Sequence, residues 1–126
     1  MQVQSGPGSA NPLVSDLRRS GLVTLLVLHY VASEACYGNQ LIERIAALTS
    51  GAVAVNSNTM YPLLRALEER GLVSAAWEHA ERRTRRFYRI TAAGRAERRR
   101  LARRLEPNLA AIATTIELIR RELLDD

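Results

Sequence analysis

Apolar positions recur along this chain at two different periods, and the changes between them predict its elements. One helix is expected from near Leu13–Asp16, with Ser15 as a possible cap, to about Ser33. Leu22, Val23, Leu25, Leu26, Val27, Leu28 and Val31 cover most of the circumference of one expected helix. A helix apolar nearly all round is buried on more than one side. One side can meet a domain core; the other needs a further helix, such as one from a second subunit. Glu34–Gly38 reads as a turn. A second helix follows over Gly38–Leu48, with Leu41, Ile42, Ile45 and Leu48 as its inner stripe, and Thr49–Val55 is a loop around Gly51.

The stretch from Asn56 to Val73 contains a helix with a start, a stop and two faces. Asn56, Ser57 and Asn58 are N-cap candidates, because a short side-chain oxygen can accept the orphan N–H groups of a first turn. Pro62 then lies near that first turn, where a missing N–H does little harm. Gly71 suits the left-handed stop. Met60, Leu63, Leu64 and Leu67 share one side at helical spacing, and Asn58, Tyr61, Arg65 and Glu68 share the other. Two short helices, a turn and a third helix with an exposed polar face are the ingredients of a helix-turn-helix.

After Gly71 the period shortens. Val73, Ala75 and Trp77 alternate with polar or small residues, which predicts a strand. His79–Thr84 forms a polar tip, and Arg85–Ile90 predicts a second strand. The tip lacks the Asn-Gly or Gly-Gly of a tight hairpin, so a longer, mobile loop is expected. Thr91 is the cap of a last helix beginning at Ala92. On it Leu101, Leu105, Leu109, Ile112, Ile116, Ile119 and Leu123 recur at spacings of four and three, a single apolar seam. Pro107 predicts a kink or a break near Glu106. The seam outruns what a compact domain can cover. That points to a dimerisation surface shared with Leu22, Leu25 and Leu26 of the first helix, the alternative being a fold-back within the chain.

These elements divide the 126 residues into a disordered arm at 1–12, a winged helix-turn-helix at 13–91 and a C-terminal dimerisation helix at 92–126. The expected fold class is mainly α with a small β-hairpin. A chain this short has an adequate core, and oligomerisation would help it. Charge sharpens the picture. The net charge is +5, and all 18 basic residues are arginine. The segment from Arg82 to Arg104 carries 11 arginines against Glu97 alone, so it is +10 and the remainder is −5. That asymmetry implies a polyanionic partner for one region. Arginine suits it, since its planar fork binds phosphate or guanine edges bidentately. Arg82, Arg83, Arg85 and Arg86 at the hairpin would reach phosphates or a minor groove; a charged edge that blocks strand aggregation is the plainer alternative. Arg98, Arg99, Arg100, Arg103 and Arg104 either extend that surface or are merely solvated.

Other chemistry is sparse. Cys36 is the only cysteine, which fits a reducing cytoplasm. It has no motif-spaced histidine and reads as a small buried hydrophobe, with redox sensing as the rarer role. His29 reads as a core or interface residue and His79 as an exposed wing residue. No P-loop, dinucleotide motif or metal-ligand cluster is present, so neither an enzyme nor a cofactor is expected. No signal peptide is visible, and the apolar run Leu22–Val31 is too short to span a bilayer.

The chain resembles the PadR family of bacterial transcriptional regulators. The matching residues are Leu17-Arg18-Arg19, Tyr37-Gly38, Thr59-Met60-Tyr61-Pro62-Leu63-Leu64-Arg65-Ala66-Leu67-Glu68, Gly71-Leu72-Val73 and Trp77. Arg86-Phe87-Tyr88-Arg89-Ile90-Thr91-Ala92-Ala93-Gly94 complete the pattern. The resemblance implies a homodimeric winged helix-turn-helix that binds a palindromic operator in double-stranded DNA. It also implies repression relieved by a small-molecule or stress signal. The recognition role carries over onto Asn58, Thr59, Tyr61 and Arg65, and the wing role onto the arginines at 82–86. The candidate DNA-contacting set is thus Tyr37, Asn56, Ser57, Asn58, Thr59, Tyr61, Pro62, Arg65, Arg82, Arg83, Arg85 and Arg86. The chain departs from the family at its wing tip, Glu81-Arg82-Arg83-Thr84, which lacks glycine. It also has no aromatic residue after Tyr88 to build a stacked-ligand pocket on the dimer helix. The competing reading is a winged-helix adaptor whose arginines contact an acidic protein.

Overall fold

A computed structural model describes residues 12–79 and 81–125; the side chains of residues 12, 13 and 82–84 fall outside that description. The arm expected at 1–12 lies outside it too, except for Pro12, which opens the first helix. The element order is α1 (Pro12–Arg19), α2 (Leu22–Ser33), α3 (Gly38–Leu48), α4 (Ser57–Glu69), β1 (Val73–His79), β2 (Arg82–Ile90) and α5 (Ala92–Leu124). This is the expected winged helix-turn-helix with a long C-terminal helix.

The single helix expected from about Leu13 to Ser33, with Ser15 as a possible cap, is two helices, and Ser15 lies inside the first. Gly21 sits at φ 102° between them, a left-handed conformation that costs glycine little. The Ser20 carbonyl left over at this corner accepts from Arg104 Nη2 at 2.5 Å, which ties the corner to α5. The core then forms where α2, α3 and α4 meet: Val27, Leu28, Leu41, Ile45, Met60 and Leu64 are fully buried. Burial of these branched and long apolar side chains is the main force holding the domain together. The loop after α3 is pinned rather than loose. Val53 and Val55 are buried in it, and the Thr49 hydroxyl accepts from the Val53 N–H at 3.0 Å.

The wing is tighter than expected. β1 reaches His79 and β2 already begins at Arg82, with His79 opposite Arg82 across an irregularity after Trp77. The long tip expected over His79–Thr84 is therefore replaced by strand up to His79 and again from Arg82, so Arg82 and Arg83 belong to β2. The inner face of the hairpin carries Val73 and Tyr88, both buried, whereas Trp77 is 40% exposed; the apolar alternation of β1 fails toward the tip. The segment expected as a plain turn supplies a third rung. Cys36 and Tyr88 exchange both backbone hydrogen bonds, at 3.1 and 2.8 Å, which fastens the hairpin to the helical body.

α5 starts where Thr91 predicts it. The Thr91 hydroxyl oxygen accepts from the Gly94 N–H at 3.0 Å, and its O–H donates to the Gly71 carbonyl at 2.6 Å. One cap thus closes α5 and holds the turn at Gly71, whose φ of 74° is the left-handed stop after α4. α5 is one helix through Pro107, so the break expected near Glu106 does not occur; residues 106–111 are exposed on this helix. Leu101 and Leu105 are buried, but Ile116, Ile119 and Leu123 are 43%, 53% and 75% exposed. The chain itself fully buries only the first two members of the seam.

Candidate nucleic-acid interface

α4 presents the expected outer face. Asn56 caps it, its Oδ1 accepting from the Thr59 N–H at 3.0 Å, so this side chain shapes the helix start. Ser57, Asn58, Thr59, Tyr61, Pro62 and Arg65 are all exposed in sequence along it. Exposed amides, a phenol and a guanidinium beside a helix N-terminus match phosphate and base-edge chemistry. Tyr61 is set by a neighbour. Its hydroxyl donates to Asn39 Oδ1 at 3.4 Å, and its ring lies against Gly38, where any Cβ would stand 2.6 Å from ring carbon Cε1. The α3–α4 crossing therefore aims the aromatic.

Between α3, α4 and the wing lies an open cleft of about 620 Å³, with Tyr37, Tyr61, Arg65, Trp77, Arg85 and Arg86 among its walls. Most of the described candidate contact residues outside the first turn of α4 are brought together here. The two wing arginines do not hang free, however. Arg85 pairs with Glu78 through both ends of its fork, Nε to Oε1 at 3.1 Å and Nη2 to Oε2. It also lies over the Tyr37 ring at 4.4 Å, and Tyr37 meets Phe87 edge-on at 5.4 Å. The hydrogen bond to Glu78 raises the Arg85 pKa further above its ordinary range. Arg86 donates from Nη2 to Glu68 Oε2 at 3.0 Å and lies over Trp77 and Tyr88 at 5.6 and 5.8 Å. The side chains of Arg82 and Arg83 lie outside the described residues.

The acids Glu68 and Glu78 and the ring of Phe87 are the partners that sequence reasoning missed. Trp77 stands directly opposite Arg86 in the ladder, so strand register alone could have paired those two. Nothing local announces Glu68, which reaches Arg86 across 18 positions of chain. Of the proposed dimer residues, Leu22, Leu25 and Leu26 are half-buried against the core, Ile112 is half-buried and Leu109 sits at 36% exposure. His29, expected in a core or interface, is exposed beside Tyr30. Cys36 is fully buried; burial raises its pKa, opposed by the nearby Arg44 cation. Among the described residues no group of three or more potential metal ligands occurs, and no helix is long and apolar enough to cross a membrane.

Comparison with known proteins decides the family. The model of the transcriptional regulator PadR-like family matches residues 27–100. The chain belongs to the PadR-like family. A transcriptional regulator of Mycobacterium tuberculosis is 36% identical over 74 residues, which cover 59% of this chain and 66% of that one. Among solved structures, a PadR family transcriptional regulator from Eggerthella lenta is 30% identical with a TM-score of 0.66, over 83% of this chain and 89% of that one. A transcriptional regulator from Clostridium thermocellum has a TM-score of 0.70 at 24% identity, over 79% and 94%, and shares the fold. The PadR match spans the second half of α2 through the first part of α5, and so includes α4, the wing and the cleft between them. This PadR-like chain is a transcriptional regulator, of a DNA-binding class, and not an enzyme.

Proposed function

We propose that this PadR-like regulator is a cytoplasmic repressor that binds a palindromic operator as a homodimer and is released by a small-molecule or stress signal. The observation that carries the reading is the outer face of α4. Tyr61 and Arg65 stand exposed on one side of a capped helix whose other side, Met60, Leu64 and Leu67, is buried. Such a helix is held firmly and offers its polar face to a major groove. Asn58 and Thr59 join Tyr61 and Arg65 in base reading; Ser57, Pro62 and Tyr37 line the backbone, and Arg82, Arg83 and Arg85 serve flanking phosphates. The support for a dimer is the second half of α5, where Leu109, Ile112, Ile116, Ile119 and Leu123 continue a seam that begins in the core at Leu101 and Leu105. Two copies pairing along it, with Leu22, Leu25 and Leu26 of α2 alongside, would carry two recognition helices to two half-sites. Repression and release by a signal are what the resemblance to PadR regulators implies.

Arg65→Ala tests the central residue. Binding to a specific site should weaken by about 1–3 kcal/mol, the range for a lost bidentate base contact, with random DNA much less affected. Equal loss on both would refute base reading by Arg65.

A further inference from the structure

We infer that Arg86 and Glu68 form a positioning pair that sets the wing against the recognition helix, and that Arg86 is not itself a phosphate contact. The inference rests on the DNA-binding reading above. It starts from strand geometry. Side chains alternate across a strand, so Arg86 shares its face of β2 with Tyr88 and Ile90, and Tyr88 is 3% exposed. Its ladder partner is Trp77. Arg86 is therefore on the face of the hairpin turned toward the helical body. Its guanidinium lies over Trp77 and Tyr88, and it ends on Glu68 near the C-terminal end of α4. Its Nε–H is buried without a hydrogen-bond partner, a cost that an arginine free to reach into solvent or a groove would not bear.

The pair is a weak stabiliser. Both side chains keep about a third of their exposure, 33% and 34%, where an ion pair adds little to folding. What it fixes is geometry. Glu68 lies one turn beyond Arg65 on α4, so the wing is hooked to the very helix that reads bases. A fixed wing-to-helix angle lets both elements meet DNA at once, and positioned groups bind better than groups that must be ordered on contact.

The sign of one substitution separates this role from plain electrostatics. Removing a negative charge from a DNA-facing surface strengthens binding to any duplex. Glu68→Gln is isosteric and should do the opposite to the specific site. The probe is a 30-base-pair duplex carrying the sequence that the wild-type full chain enriches from a random library, with a scrambled duplex beside it. Glu68→Gln and Arg86→Ala should each weaken the enriched site about tenfold and leave the scrambled duplex within about twofold. The double variant should be no weaker than either single one, since both remove the same interaction. The salt slope should stay that of the wild type. Trp77 is the sole tryptophan, so its emission without DNA should shift red in both variants, and Arg86→Lys should partly restore it. Tighter binding by Glu68→Gln would overturn the inference, as would a salt slope flattened by about 1 in Arg86→Ala, the mark of a lost phosphate contact. If Arg86→Ala proves unfolded by circular dichroism, Glu68→Gln decides alone. A wild type that enriches no sequence defeats the DNA-reading proposal itself, a result distinct from a selective wild type that is indifferent to Glu68.

Discussion

The ring of Tyr61 rests on the bare α-carbon of Gly38: a methyl group at that carbon would stand 2.6 Å from Tyr61 Cε1 and 2.8 Å from its hydroxyl oxygen. The clash is with the mobile end of a side chain, so Gly38→Ala should fold with a stability change within about 1 kcal/mol. It should nonetheless swing Tyr61 off the α4 face. Binding to the specific site should fall roughly five- to tenfold, the worth of about one base-edge contact. A duplex titration paired with thermal unfolding checks both halves; unaltered binding would mean that Tyr61 does not read DNA.

Gly94 is close-packed for a different reason. A Cβ there would lie 2.0 Å from the Leu72 carbonyl oxygen and 2.7 Å from Ile90 Cγ1. The first obstacle is backbone and cannot rotate away. In an exposed helix interior, glycine to alanine stabilises by about 1 kcal/mol. Gly94→Ala should instead destabilise by about 1–3 kcal/mol, the cost of overpacking, because α5 must shift off the α4–β1 corner. Urea unfolding gives the sign, and a gain in stability would refute this close approach.

The exposed part of the α5 seam predicts the oligomeric state. Ile116→Asp with Ile119→Asp should leave the winged domain folded, since neither residue touches its core. The pair should convert a dimer to a monomer at micromolar concentration by sedimentation velocity. DNA affinity should fall by roughly a hundredfold as two linked half-site contacts become one. A wild type that is already monomeric would remove the dimer reading.

Cys36 predicts inertness. Burial raises its pKa, against a smaller opposing effect of Arg44, and its thiol hydrogen faces the Glu34 carbonyl with sulfur 3.4 Å from the oxygen. Thiol reagents attack the thiolate, so native protein should label at least about a hundredfold more slowly than denaturant-unfolded chain. Stability should fall as pH rises above the ordinary thiol range, because the unfolded chain loses that proton first. Fast native labelling would revive redox sensing.

The legible parts of this fold are local. Asn56 as cap, Gly71 as stop and the Met60–Leu64–Leu67 stripe each act within a turn or two, and α4 forms as they predict. Thr91 announced α5 in the same way. The failures have physical causes as well. Ser20-Gly21 is one small corner just ahead of the apolar run at Leu22, and its left-handed turn is stabilised by Arg104, distant along the chain. The hairpin closes without a glycine at its tip, where its antiparallel ladder extends from Val73↔Ile90 out to His79↔Arg82. At the candidate interface, the arginines were legible as charges but not as partners. Glu68, Glu78 and the ring of Trp77 that hold them come into reach only when the strands pair and dock on α4.

The most direct test is a titration of the purified full chain against the duplex upstream of its own gene, with scrambled competitor, at several salt concentrations. Two chains should bind per site and survive competition. Log affinity should fall with log salt at a slope of roughly −5 to −7, as about 6–8 phosphates are neutralised. Binding that is equally weak on both duplexes, or absent at every salt, would contradict an operator-binding regulator that reads DNA through Tyr61 and Arg65.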